Sequence, residues 1–213
     1  MSLPSPIWIY RMTHLANLPY LLKHGLVTRH SPVFSPDYLS IGENTLIQER
    51  AERQIPVPPH GLFSEYISFY FGHRSPMLYQ IITGWEGVTK VRQEDIVYLV
   101  SSLQKLQQQN SVFVFTDGHA ASRLTRFFTN WEDLSQVDWD VITSTDWKNT
   151  EDDPDRQRRK QAEVLIYQQV PIATIEFLLT YTTEKRQIVL DLVEQAGLTI
   201  PVRVSTKAYY DRL

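Results

Sequence analysis

One glutamate lies where a strand pattern predicts an apolar residue. In the stretch RRKQAEVLIY, residues 158–167, a run of cations is followed by residues that favour a β-strand. A strand alternates its faces, so Glu163 shares one face with Leu165 and Tyr167. A carboxylate on an inward face is usually paired or functional, because burying an unpaired charge is costly. The residues alone leave two interpretations open: a functional carboxylate, or an edge-strand ion pair with Arg158 or Lys160 beside a basic run that forms a solvated helix face.

Three further groups have the side chains for chemistry. Arg11 and His14 stand near the end of a predicted first strand, and Arg50 and Arg53 lie on a predicted helix. Tyr70 lies in the aromatic run SFYF, where its ring is suited to stack on a planar ligand. Each group also has a structural interpretation, since arginines anchor strands and aromatic rings fill cores. The six histidines show no HExxH spacing and the chain has no cysteine, so we expect no metal site.

Composition bounds the class of protein. The 213 residues, 42% hydrophobic and 12% aromatic, predict one well-packed domain. A formal net charge of -3 argues against a uniformly basic nucleic-acid coat, although local basic patches remain compatible with it. The absence of cysteine excludes disulfides and thiolate sites and fits a reducing compartment. The first residues lack the pattern of a signal peptide, and no apolar run approaches the roughly 20 residues needed to span a bilayer, so we expect a cytoplasmic protein without membrane contact.

The coarse pattern predicts an α+β fold. Strands are predicted at 7–12, 66–71, 96–100, 112–115, around Glu163, at 175–181 and at 200–204, and helices at 17–24, 44–53, 75–83, 101–110 and 184–196. Residues 28–43 form a long loop, and residues 116–160 are irregular apart from a short strand at 125–128. Strands separated by helices early and clustered late favour α+β over a doubly wound parallel sheet. No phosphate-binding glycine loop occurs.

An ordered set of segments resembles the DarT family of DNA ADP-ribosyltransferase toxins. The segments are IYRMTHLANLPYLLKHGL, IQERAER followed by IPVPPHG, YISFYFGHRSPMLY, VFVFTDGHA, RRKQAEVLIY and IPVRV. The resemblance implies an ADP-ribosyltransferase-like fold, in which two small packed β-sheets with surrounding helices hold an NAD cleft. It also implies one domain over residues 1–213, a loop and helix over residues 28–60 that cover NAD, and a substrate-recognition loop over residues 116–160.

The resemblance also implies site roles. Glu163 takes the position of the catalytic glutamate that hydrogen-bonds the nicotinamide ribose and stabilises the positive charge that develops there. Such a carboxylate can also accept a proton from the attacking base. The residues that the resemblance places at the NAD cleft are Arg11, Thr13, His14, Asn17, Gly25 and Tyr70. Those that it places at the DNA substrate are Arg50, Ala51, Arg53, His119 and Arg158.

The implied activity is that of a toxin that transfers ADP-ribose from NAD to a base in single-stranded DNA, releases nicotinamide, and is restrained by a macrodomain antitoxin that reverses the modification. Two positions depart from the thymidine-modifying pattern: Arg11 replaces a histidine, and Ala51 replaces an arginine. The target base, guanine or thymidine, therefore stays open, and Ala51 is either natural, with Arg50 or Arg53 supplying the charge, or an inactivating substitution. The alternatives are an NAD enzyme similar to the RNA 2′-phosphotransferases and a nucleic-acid-binding module without catalysis.

Overall fold

The described part of the chain contains ten β-strands and seven α-helices, together with short 3₁₀ turns. The computed structural model describes residues 3–42 and 44–210. The strands are β1 Trp8–His14, β2 Leu26–Val27, β3 Tyr66–Tyr70, β4 Ile96–Ser102, β5 Phe113–Thr116, β6 Phe127–Phe128, β7 Glu163–Tyr167, β8 Gln169–Val170, β9 Phe177–Thr180 and β10 Val202–Val204. The helices are α1 Leu18–His24, α2 Asn44–Ala51, α3 Pro76–Thr83, α4 Leu103–Gln108, α5 Trp139–Thr143, α6 Arg156–Lys160 and α7 Thr183–Gln195. The predicted α+β class is confirmed.

Eight of these strands form one hydrogen-bonded sheet in the order β10-β9-β4-β1-β3-β7-β5-β6, and β2 pairs with β8 in a small second sheet. The large sheet consists of two halves, β10-β9-β4-β1 and β3-β7-β5-β6. Among the described residues, one registered pair joins the halves, Tyr10 with Tyr70. The family resemblance implied two small packed sheets, and in the structure backbone hydrogen bonds link the two halves at this single point.

Apolar side chains cover both faces of the large sheet. All seven residues of β4 are buried. Val97 and Leu99 pack into the core on one face, and Tyr98 and Val100 pack into a second core on the other. This alternation follows from the strand period, and the burial on both faces supplies most of the driving force for folding. The sheet is therefore a rigid support for side chains at its centre.

Helix ends place several of the predicted site residues. Helix α1 ends at His24 and is capped by Gly25, whose φ of 71° favours glycine; a Cβ at Gly25 would lie 2.6 Å from the carbonyl oxygen of Val170. Helix α2 ends at Ala51, so the prediction that Arg53 projects from this helix is wrong. The Arg53 amide donates to the Arg50 carbonyl at 3.0 Å, and the chain then turns toward Pro56, which ends the helical geometry. No helix in the described ranges is long and apolar enough to cross a membrane.

The basic run of α6 does not form a solvated face, so that interpretation is wrong. Arg159 pairs with Asp138 and Asp153, and Arg158 pairs with Asp117 and Asp155. The side chain of Lys160 is buried and donates to the carbonyl oxygens of Ile142 and Ser144 at the end of α5. Burial, with further contributions from Arg74 and Arg156, lowers the pKa of Lys160 to about 8. The acidic residues that precede α6 thus neutralise its cations and fix the irregular segment against the sheet.

Candidate active site

Glu163 lies at the first position of β7 and is fully buried. It stands opposite Tyr70 of β3 in the antiparallel ladder. Its Oε2 accepts a hydrogen bond from Arg50 Nη2 at 2.7 Å, and its Oε1 accepts one from the Ala120 amide at 2.9 Å. The Glu163 amide in turn donates to Thr116 Oγ1 at 2.9 Å. The carboxylate is therefore on the inward face, as one of the two interpretations required, and its partner is Arg50 and not the neighbouring basic run.

Arg50 is a buried cation that links three parts of the site. Its side chain is 9% exposed, and its guanidinium lies 4.1 Å from the centre of the Phe63 ring. Nη1 lies 3.4 Å from His119 Nε2. Burial opposes the charge, but the carboxylate of Glu163 outweighs it and raises the pKa of Arg50. The pair is thus a charged, hydrogen-bonded unit, in which each partner is costly to leave alone.

Two neighbours of this pair are held in their neutral forms. Burial, followed by the negative charge of Glu163, raises the pKa of Tyr70, although Arg50 and Arg11 oppose the shift. Burial lowers the pKa of His119, and the positive charge of Arg50 adds to that effect while Glu163 opposes it. A neutral imidazole accepts the hydrogen bond from Arg50 at Nε2. The Glu163–Arg50 pair is therefore flanked by two neutral hydrogen-bonding groups, Tyr70 and His119.

A cleft of about 360 Å³ opens where β1 and β3 diverge beyond the Tyr10–Tyr70 pair. Arg11 lines it from β1, and its Nη1 donates to the carbonyl oxygen of Ser68 at 2.7 Å. Arg11 Nε is buried and has no hydrogen-bond partner in the described part of the chain. Arg50, Ala51 and Tyr70 line the same cleft, whereas Glu163 lies behind them. Such a volume is typical of small-molecule sites.

The loop between β2 and α2 forms one wall of the cleft, through residues 28–30, 34 and 38–42. Asn17 fixes this loop, because its side chain donates to the Leu39 carbonyl oxygen at 2.9 Å and accepts from the Leu39 amide at 2.9 Å. Asn17 also donates to Thr13 Oγ1 at 3.1 Å, and that hydroxyl lies 3.3 Å from Tyr38 Oη. Thr13 and Asn17 are therefore behind the cleft wall and position the loop.

The structure separates the remaining predicted residues from the cleft. His14 Nδ1 accepts from the Ala16 amide at 3.0 Å, which caps a short turn, and Gly25 packs against β8. Arg53 donates to the carbonyl oxygen of Ala121. Arg158, 15% exposed, donates to Asp117, Asp155 and Thr125, and so it supports the loop after β5. Their assigned roles in NAD or DNA binding stay predictions.

A second cavity, of about 320 Å³, lies on the other side of Arg50. It is lined by Glu49, Arg50, Arg53, Ala121 and Arg123. Arg50 borders both cavities and therefore forms part of the wall between them. A ligand in either cavity can reach the guanidinium that now contacts Glu163.

Sequence reasoning missed Phe63 and the backbone amide of Ala120. Phe63 belongs to a short 3₁₀ turn before β3, and only the fold brings its ring under Arg50. A backbone amide has no residue-specific signal, although the quoted segment VFVFTDGHA does end at Ala120. Within the described ranges, no three histidine, aspartate or glutamate side chains converge to hold a metal ion.

Comparisons with known proteins agree on one family. The profile of the family described as "ssDNA thymidine ADP-ribosyltransferase, DarT" matches residues 10–210. A protein of Escherichia coli O127:H6 named DNA ADP-ribosyl transferase is 35% identical over 97% of this chain and 95% of its own. A fusion protein of Thermosipho africanus, named DNA ADP-ribosyl transferase-DNA ADP-ribosyl glycohydrolase, is 24% identical over 75% of this chain and 39% of its own.

Two solved structures of DarT from Thermus sp. 2.9 are also similar. The complex with ADP-ribosylated single-stranded DNA has a TM-score of 0.89 at 34% identity and covers 99% of both chains. The complex with NAD+ has a TM-score of 0.86 at 34% identity and covers 98% of this chain and all of the other. The profile match and the relatives above 30% identity extend over nearly the whole chain. The chain therefore belongs to the DarT family of single-stranded DNA thymidine ADP-ribosyltransferases.

Proposed function

We propose that this protein transfers ADP-ribose from NAD to thymidine in single-stranded DNA and releases nicotinamide. The observation that carries the proposal is the buried Glu163–Arg50 pair, 2.7 Å apart, with a cavity on each side of Arg50. A transferase of this kind needs two substrates to meet at one carboxylate. Of the two bases that the sequence left open, the family description favours thymidine.

NAD fits the cleft between β1 and β3. The volume of about 360 Å³ suits a ligand of this class, and the buried, unpartnered Nε of Arg11 offers a donor to its polar groups. Tyr70 lines the cleft beside Arg11, where its ring is available to a planar nicotinamide. We assign residues 28–60 to covering NAD, with Thr13 and Asn17 holding the loop through Leu39. The NAD+ complex of the Thermus relative supports the assignment.

Glu163 supplies the charge that the chemistry requires. When the bond from the ribose C1′ to nicotinamide breaks, its electron pair leaves with nicotinamide and positive charge develops at the ribose. A fixed carboxylate stabilises that charge more in the transition state than in the ground state. Thymine N1 is already bonded to deoxyribose, so N3 is the ring nitrogen that forms the new bond to C1′. Glu163 then accepts the N3 proton.

In this structure, Glu163 is covered by Arg50 and does not line the cleft. We propose that Arg50 moves from Oε2 when both substrates bind, which exposes the carboxylate to the ribose. Arg50 Nε has no partner in the described residues, so part of the guanidinium is already available for a new acceptor.

We also propose that the protein is a cytoplasmic toxin, because NAD and replicating DNA meet in that compartment, and that a macrodomain antitoxin removes the modification. The Thermosipho africanus relative supports the second point, since its name joins a DNA ADP-ribosyl transferase to a DNA ADP-ribosyl glycohydrolase. A chain that modifies DNA covalently needs such a reversing activity to be tolerated by its host.

Mass spectrometry of single-stranded oligonucleotides tests the function directly. Each oligonucleotide lacks one base type and is incubated with NAD and the wild-type chain, beside an RNA carrying a 2′-phosphate. We expect an ADP-ribose adduct wherever thymidine is present, and none in its absence. An adduct that follows guanine contradicts the thymidine assignment. Loss of the RNA 2′-phosphate without any DNA adduct contradicts the DNA transferase.

A further inference from the structure

An exposed leucine marks the tip of the loop that follows β5. Leu124 is 75% exposed, the highest value among the large apolar side chains of the described residues. Arg123 precedes it and Arg126 follows two positions later, both exposed. A single exposed apolar residue is ordinary, but one held between cations beside a catalytic site has the properties of a nucleic-acid contact.

Hydrogen bonds within the loop hold the tip in one conformation. The Ser122 amide and the Thr125 hydroxyl both donate to the His119 carbonyl oxygen, at 2.9 and 2.8 Å. The Leu124 amide donates to Ser122 Oγ at 3.2 Å, and Arg158 donates to the Thr125 hydroxyl at 3.2 Å. A fixed backbone presents the Leu124 side chain without the entropy cost of ordering a flexible loop.

The same loop is joined to the catalytic carboxylate. The Ala120 amide donates to Glu163 Oε1 at 2.9 Å, and Leu124 follows only four residues later. Four extended residues span at most about 14 Å, which is roughly the length of two nucleotides. A strand that places one base at Glu163 therefore places a neighbouring base within reach of Leu124.

The cationic side chains that line the second cavity favour the binding of a phosphate group there. Arg123 is exposed, lines the cavity and makes no ion pair or hydrogen bond within the described ranges. Arg53 lies across the cavity and donates to the Ala121 carbonyl oxygen. Glu49 contributes one opposing carboxylate, and Glu163 already balances the charge of Arg50. The unengaged guanidinium of Arg123 is thus the group best placed to bind a phosphate oxygen.

We infer that Leu124 packs on the base beside the target thymidine and unstacks the two, while Arg123 binds the phosphate between them. This inference rests on the proposed function and assigns the residues that position its DNA substrate. A thymine must leave the stack to enter an enclosed site, and an apolar side chain in the stacking position lowers the cost of separating it from its neighbour. Leu124 and Arg123 act on the DNA only and leave the NAD cleft unchanged.

Oligonucleotides with one thymidine beside 2-aminopurine, whose fluorescence rises on unstacking, provide the test. Binding is measured in a Glu163→Gln background, so that no transfer intervenes. We expect a rise in fluorescence with Leu124 present and loss of most of it in Leu124→Ala. In the active background, Leu124→Ala should raise the KM for the oligonucleotide about tenfold, as for loss of one base contact, with the KM for NAD unchanged. Arg123→Ala should reduce the slope of log affinity against log salt by about 0.7.

Matched controls are Ile188→Ala for the apolar change and Arg92→Ala for the charge, since both side chains are exposed and belong to other elements. Equal fluorescence and equal KM in wild type and Leu124→Ala would overturn the inference even though transfer itself continues. A wild-type chain that transfers nothing to DNA contradicts the proposed function instead. An Arg123→Ala variant with an unchanged salt slope would overturn the phosphate assignment alone.

Discussion

Arg50 Nη2 lies 2.7 Å from Glu163 Oε2, and the carboxylate is completely buried by this contact and its surroundings. The distance between the two residues in sequence is 113 positions, so only the fold brings them together. The contact orients the carboxylate and also covers it on the side of the cleft. Arg50 borders both cavities, so in the proposed function it lies between the NAD site and the DNA site.

Glu163→Gln should abolish transfer and leave NAD binding nearly intact. The amide keeps the size of the side chain and its acceptor for the Ala120 amide, but it cannot stabilise a developing positive charge. We expect the rate of transfer to fall at least 100-fold and the Kd for NAD to change less than about threefold, measured by mass spectrometry and calorimetry. Glu176→Gln, which changes a carboxylate bonded to Ser102 on the distal half of the sheet, is the control. Normal turnover in Glu163→Gln would contradict the catalytic assignment.

Arg158→Ala should destabilise the loop after β5 without altering the salt dependence of DNA binding. Arg158 is 15% exposed and its donors are already bound to Asp117, Asp155 and Thr125. Loss of these charged hydrogen bonds should cost about 2 kcal/mol of unfolding free energy. Chemical denaturation and binding titrations at several salt concentrations measure the two effects, with Asp117→Asn as the matched variant. A salt slope that falls as much as in Arg123→Ala would show that Arg158 binds phosphate, as the sequence first suggested.

Gly25→Ala distinguishes a packing role from a role in NAD binding. The glycine has φ of 71°, and an added Cβ would lie 2.6 Å from the Val170 carbonyl oxygen, so the backbone must shift. We expect a loss of about 2 kcal/mol in stability and an unchanged KM for NAD at a temperature where the variant remains folded. Gly197 has a similar φ, but an added Cβ would meet open space, so Gly197→Ala should lower the unfolding free energy less than Gly25→Ala does. A raised KM for NAD without loss of stability would support the NAD role instead.

How far the sequence predicted the site depended on whether each signal was local. The strand period placed Glu163 with Leu165 and Tyr167, and cap residues placed the ends of α1 and α3, because these depend on neighbours in the chain. The partner of Glu163 was not predictable in this way, since nearby Arg158 and Lys160 were the obvious candidates. Their pairing with Asp117 and with backbone carbonyls depends on the packing of segments far apart in sequence.

Ala51→Arg should change transfer to thymidine by less than about threefold. Arg50 already contacts Glu163, and Ala51 lines the cleft at the end of α2 without touching that pair in any hydrogen bond of the described structure. Arg50→Ala, in contrast, should lower transfer at least 100-fold, because it removes the guanidinium that orients the buried Glu163 before ligands bind and that borders both cavities, where it can contact the substrates after it moves. Single-turnover assays on one oligonucleotide compare the variants. Transfer that appears only after Ala51→Arg would mean that Ala51 is an inactivating substitution.

His73 should make the protein sensitive to acid. Burial, with the charges of Lys160 and Arg74 in addition, lowers the pKa of His73 to about 4, whereas an unfolded histidine titrates near 6.5. Between these values the unfolded chain binds the proton that the folded chain excludes, so the contribution of His73 to stability is complete above about pH 6.5, falls as the pH drops from 6.5 to 4, and is constant below that range. The ring of His73 packs edge-on against Tyr10, 5.5 Å between centres, so His73→Phe keeps the contact and removes the titration.

Between pH 6.5 and pH 4, we expect the free energy of unfolding of the wild-type chain to fall by on the order of 2 kcal/mol more than that of His73→Phe. Urea denaturation at each pH measures this difference. The control is His24→Gln, which removes an exposed histidine from another part of the chain. Parallel pH profiles for wild type and His73→Phe would show that the folded His73 accepts a proton at its ordinary pH. Because His73 follows β3 by only three residues, an acid-induced opening there would also loosen Tyr70, and transfer should fall over the same pH range.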